Sequence, residues 1–183
     1  MRRQIPMSAS LAVDYFAVFG LPPVFAQDPA ELERRYLDLQ RSAHPDRYAH
    51  LNATERSAAV EAAARINEAY RHLKDPLTRS THLLALRGVE VLSAGSVPLP
   101  ADLLLQQMAW HEALEDARRA GDTARLNALY DGFLAERTRL EAGLFEALDE
   151  RGNTAAAADL VRQLHFLRRL IEQAQLAADG EMP

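Results

Sequence analysis

Apolar positions recur at helical spacing along almost the whole chain, while alternation of apolar and polar residues, the mark of a half-buried strand, extends over no useful length. The expected fold class is therefore all-α. "DYFAVFGL" predicts a short helix with Phe16 and Phe19 inward, stopped by Gly20 and the prolines at 22 and 23. Asp28 followed by Pro29 is a strong start signal, an N-cap with proline at the first helical position. From there Leu32, Tyr36, Leu39 and Ala43 keep helical spacing up to His44. Pro45 pushes the residue before it out of α geometry, so the helix should end there. A third helix is expected to begin near Thr54, with Glu55 and Glu61 early and His72 and Lys74 late, as the helix dipole prefers. Its inner stripe reads Ala59, Ala62, Ile66, Ala69 and Leu73. Small side chains there allow close approach to the preceding helix, so an antiparallel hairpin should display residues 44–46 on its loop. Asp75-Pro76 ends that helix, and "LTRSTHLLALRG" adds a shorter one stopped by Gly88.

Residues 88–100, "GVEVLSAGSVPLP", form the natural boundary. Beyond it, periodicity predicts long helices at about 101–119, 122–150 and 154–177, separated by "AGD" and "RGN". Turns that short make neighbours antiparallel, so a three-helix bundle is expected. The organisation is then an extension at 1–13, a helical domain at 14–87, a linker at 88–100, a bundle at 101–178 and a tail at 179–183. Met7 is an alternative start, which would leave residues 1–6 as an unstructured extension.

Some apolar residues of the bundle fall off its core stripe. Leu103, Trp110, Leu114 and Ala117 share one face of its first helix. Leu104, Leu105 and Met108 lie on another, continued by Glu112, Glu115 and Asp116. A second apolar patch beside carboxylates either packs within the protein or receives a partner. On the last helix Leu160, Leu164, Leu167 and Ile171 share the core stripe with Val161 beside it, while Phe166 points away among Arg162, Arg169 and Gln173.

Composition narrows the chemistry. Apolar residues make up 48% of the 183, enough for a substantial core. The absence of cysteine excludes disulfides, thiol nucleophiles and every cysteine-based metal or cluster ligand set. Residues 1–80 carry 11 basic and 10 acidic side chains, and residues 81–183 carry 10 and 16. Neither half has the basic footprint of general nucleic-acid binding; the asymmetry suggests two surfaces for two protein partners. Asp14 interrupts the apolar stretch behind Arg2 and Arg3, so no targeting segment is expected, and no run is long enough for a membrane span. A cytoplasmic protein is the expectation.

"QRSAHPDRYAH", residues 40–50, sets His44 and Asp46 on either side of a rigid proline. As a hydrolytic site it lacks a nucleophile signal to complete a triad, and the chain has no Gly-rich phosphate loop or H-E-x-x-H pattern. As a metal site it offers His44, Asp46 and His50 at a spacing matching no established ligand set. Docking of another protein is the remaining reading.

Four segments in order carry a specific resemblance: "DYFAVFGL", "ERRYLDLQR", "HPDR" and "ARINEAYRHLKDP". Together they resemble a J-domain, the co-chaperone module that stimulates ATP hydrolysis by chaperones of the DnaK type. With "LTRSTHLLALRGV" and "AADLVRQLHFLRRLIEQ" the resemblance extends over nearly the whole chain to HscB, the J-protein family dedicated to iron–sulfur cluster biogenesis. It implies a J-domain over 14–87 joined to a C-terminal bundle over 101–178, an HscA-type chaperone partner for the first and an IscU-type cluster scaffold for the second. It implies no cofactor and no catalysis by the chain itself.

The resemblance also assigns residues. His44, Pro45 and Asp46 would trigger the chaperone ATPase, with Arg34, Arg35, Arg41 and Arg47 meeting an acidic chaperone surface. Leu104, Leu105, Met108 and Glu112, with Phe166, would receive the scaffold. Two departures stand out: Arg47 where the family usually has lysine, which keeps charge but changes geometry, and Ala109 where an acidic residue is usual, which thins the acidic rim. A J-protein with another client, or a His/Asp metal-binding protein, are the alternatives.

Overall fold

The computed structural model describes residues 13–43, 52–91 and 100–178. The expectations for His44, Pro45, Asp46, Arg47 and His50, for most of the linker and for both ends therefore lie outside the described residues. The described residues contain helices and no strand. Two compact units divide the chain, residues 1–89 and 90–183.

In the first unit, α1 (Tyr15–Phe19) starts where the Asp14 carboxylate accepts the backbone N–H groups of Phe16 and Ala17 at 2.9 and 3.2 Å. It ends on Gly20, whose positive φ of 61° lets its own N–H turn back onto the last carbonyls. Arg35 reaches from the next helix to donate to the Phe19 and Gly20 carbonyls at 2.7 and 2.6 Å. A Cβ on Gly20 would stand 3.3 Å from that guanidinium, so glycine serves both the backbone turn and the close approach. Helix α2 (Pro29–Ser42) has the expected Asp28 N-cap and ends at Ala43. Helix α3 (Ala53–Lys74) starts from a full capping box between Asn52 and Glu55.

Helices α2 and α3 run antiparallel: the Tyr36 ring stacks on Tyr70 at 4.0 Å, and one turn along, the Gln40 amide donates to Asn67. Asp75 closes α3 and caps α4 (Pro76–Leu86), accepting the Thr78 N–H at 2.9 Å. The core joins Phe16, Leu32, Ala69, Leu73, Leu83 and Leu84, all nearly inaccessible. Fully burying each large side chain is worth about 1.5–3 kcal/mol. One expected core position fails: Ala62 is exposed, while Ala63 is half-buried and keeps the four- and three-residue steps between Ala59 and Ile66.

His82 closes one side of α1. Buried, it accepts the Tyr15 backbone N–H on Nε2 at 3.2 Å, and its ring packs against Tyr15 and Phe16. Tyr15 also stacks on His72 and donates its hydroxyl to Glu68 at 3.0 Å. Burial pushes the His82 pKa down; nearby Asp14 opposes that and His72 adds to it. A histidine whose folded pKa lies below its unfolded value favours the fold while neutral. Its contribution is complete above the unfolded pKa and declines as pH falls from there towards the folded pKa. The stability gap between the native protein and His82→Phe should therefore narrow as pH falls through and below about 6.5, measured by urea unfolding. A gap constant with pH would mean that His82 titrates alike in both states.

In the second unit, α5 (Ala101–Ala120) turns at Gly121 into α6 (Thr123–Phe145), whose N-cap Asp122 accepts the Arg125 N–H at 2.9 Å. Helix α6 continues into a π-helical turn, Glu146–Glu150, before α7 (Thr154–Ala178). The wider turn was not expected; it lets the adjacent residues Ala147 and Leu148 both be buried. Helices α6 and α7 make the most extensive pairing, and α5 packs along both. Leu114 and Ala117 of α5 are buried as expected, and Trp110 meets Phe133 edge-on at 5.8 Å. The core stripe of α7 is displaced from the expected one. Val161, Leu164, Leu167, Leu170 and Ala174 are buried, whereas Leu160 and Ile171 are half-buried. Leu160 instead lies over Gly143, where an added Cβ would come within 3.3 Å of it.

Candidate functional site

Two helix faces carry the expected docking residues. On α2, Arg34 and Arg35 both converge on Glu31: Arg34 at 2.7 Å and Arg35 at 2.6 Å. These hydrogen bonds hold the Glu31 carboxyl below its usual range, and Glu31 in turn raises the Arg34 pKa. Arg34 also reaches Asp38 at 3.5 Å, and Arg41 reaches the same carboxylate at 3.0 Å. The expected basic face is thus a ladder of alternating charge along one side of the helix. Arg35 sits apart from its partners in this ladder, because its guanidinium also holds the end of α1. The sequence reading missed Leu37, which is 44% exposed beside the ladder, and the counter-ion role of Asp38. Both were legible as spacing, since residues 34, 37, 38 and 41 share one helical face.

On α5 the apolar patch stands open. Leu104, Leu105 and Met108 are 51%, 66% and 60% exposed. Glu112 is exposed one turn further along, as is Ala109. The acidic continuation is partly occupied: Glu115 pairs with Arg118 at 2.7 Å and Asp116 with Arg119 at 2.6 Å. Phe166 belongs to α7, which packs along α5, and is half-buried rather than pointing freely outward. Its expected neighbour Arg162 is largely covered and tied to Asp159.

Among the described residues no three histidines, aspartates or glutamates are grouped as a metal site would need, and no helix is long and apolar enough to cross a membrane. The His44, Asp46 and His50 combination lies outside those residues.

Comparison with known proteins places the chain in a family. The sequence model described as "HSCB C-terminal oligomerisation domain" matches residues 99–175. The Co-chaperone protein HscB homolog of Ralstonia nicotianae is 42% identical over 165 residues, covering 90% of this chain and 94% of that protein. Chaperone HscB from Vibrio cholerae superposes with a TM-score of 0.80 at 34% identity, over 93% of this chain and 100% of that one. Human co-chaperone protein HscB gives a TM-score of 0.83 at 25% identity, over 94% and 84%. With identity of that level along nine-tenths of its length and the same fold throughout, this chain belongs to the HscB family of co-chaperones.

Proposed function

We propose that the chain works in iron–sulfur cluster assembly by delivering an IscU-type scaffold protein to an HscA-type chaperone and stimulating that chaperone's ATPase. The observation that supports this reading is the exposed Leu104–Leu105–Met108 patch on α5, three neighbouring large apolar side chains with exposed Glu112 one turn further along. The bundle captures the scaffold there, with Glu112 on the rim and Phe166 on the neighbouring helix. The first unit then engages the ATP-bound chaperone through His44, Pro45 and Asp46, with Arg34, Arg41 and Arg47 beside them and Arg35 bracing α1 against α2. Asp46 pairs with a chaperone arginine. Loop and client together favour the hydrolysed, closed state of the chaperone, a population shift driven by differential binding. The bond broken is that between the β- and γ-phosphates of the ATP held by the chaperone, with water taking the phosphoryl group; the co-chaperone supplies contacts and no chemistry, and its site of action is the cytoplasm.

The reading is tested by titration calorimetry of an IscU-type scaffold against the native chain and Phe166→Ala. Partial burial of Phe166 limits what truncation removes, so binding should weaken by about 1–2 kcal/mol. Circular dichroism establishes that both chains fold equally. Absence of binding by the native chain would reject the client, and binding indifferent to the substitution would remove Phe166 from the scaffold face.

A further inference from the structure

We infer that Asp38 is a specificity-determining residue of the chaperone-docking face, acting as a built-in counter-ion that hides Arg34 and Arg41 from chaperones other than the matching one. The inference rests on the reading of α2 as that face. Between residues 31 and 41 there are three carboxylates, Glu31, Glu33 and Asp38, and three guanidinium groups, Arg34, Arg35 and Arg41. Asp38 occupies the middle of the ladder, 3.5 Å from Arg34 on the turn before it and 3.0 Å from Arg41 on the turn after it. It is 54% exposed, and its carboxylate meets both guanidinium groups.

The consequence follows from the range of the forces. An approaching surface still about 10 Å away responds to the summed charge of residues 31–41 rather than to single groups, and here the signs cancel. Arg34 and Arg41 therefore contribute little to the attraction that would draw the chain to any acidic chaperone. On contact the balance changes. Exposed ion pairs of this kind are weak, so a surface with its own well-placed carboxylates can take a guanidinium from Asp38. Leu37, exposed between Arg34 and Arg41, makes the same selection by a second means: it gains only against a partner with an apolar spot at that place. A partner that lacks these features leaves the Asp38 pairs in place and gains nothing from Arg34 and Arg41.

The experiment uses the full chain and two purified chaperones, one of the HscA type and one general DnaK-type protein. The readout is the concentration giving half-maximal ATPase stimulation, and its ratio between the two chaperones defines selectivity. Native chain, Asp38→Asn and Asp38→Glu are compared at about 50 and about 300 mM salt. Asp38→Asn should lower the selectivity ratio at least about threefold at low salt, chiefly by improving action on the DnaK-type protein, and the gain should vanish at high salt. Asp38→Glu, which keeps the counter-ion, should match the native chain. An Asp38→Asn ratio equal to native at low salt, or a gain that survives high salt, would overturn the assignment. A native chain that stimulates neither chaperone would instead overturn the docking reading beneath it.

Discussion

His44→Gln should abolish stimulation of the HscA-type chaperone while leaving the fold intact. The separation of the two effects comes from how the flanking helices end. Helix α2 is closed by Ala43, whose N–H bonds the Leu39 carbonyl at 2.9 Å, and the Ser42 hydroxyl donates to the same carbonyl at 2.8 Å. Helix α3 begins from its own capping box at Asn52 and Glu55. Each terminus has a cap supplied by residues other than His44, and replacing His44 leaves those caps in place. Thermal unfolding should coincide with the native protein to within a few degrees, roughly the effect of 0.5 kcal/mol in a domain of this size. Steady-state ATPase at saturating chaperone should fall to the unstimulated rate. Stimulation retained within about twofold would show that the His-Pro-Asp segment is not the trigger.

Replacing Leu104, Leu105 and Met108 together by alanine should weaken scaffold binding by about 3–5 kcal/mol, roughly two to four orders of magnitude in Kd. Each side chain is more than half exposed in the free chain, so more than half of its surface is open to a partner. Truncation costs the unbound protein little, since none of the three belongs to the buried face of α5, and alanine favours the helix. A loss of binding with unchanged circular dichroism and unchanged chaperone stimulation would separate client capture from ATPase triggering. Calorimetry showing less than about a threefold change would move the scaffold to another surface, whatever the fate of Phe166.

Much of this protein was legible in its sequence because the signals are local. Asp14, Asp28 and Asp75 sit where a carboxylate can satisfy the free N–H groups of a helix start, and each does so. Gly20 and Gly121 take the left-handed conformation that ends a helix, a choice open at little cost to glycine alone. The patch on α5 was visible for the same reason: residues 104, 105 and 108 cannot share a face with Leu114 and Ala117 at helical spacing. The errors arose where neighbours decide. Ideal periodicity put Leu160, Leu164, Leu167 and Ile171 on the α7 stripe, with Val161 beside it. Val161 became the buried centre, while the absence of a side chain on Gly143 gave Leu160 its place against α6.

The sequence alone therefore determined the helical class, most helix starts and stops and the exposed apolar positions of α5. These depend on caps, turns and periods that act within a few residues of one another. Tertiary structure decided which way charged and aromatic side chains are spent. Arg35 braces α1 rather than standing free on a basic face, Asp38 lies within reach of both Arg34 and Arg41, and His82 is held neutral against the Tyr15 backbone. The reason is reach: a guanidinium or imidazole can choose among several partners, and the geometry that selects one exists only after the helices have packed.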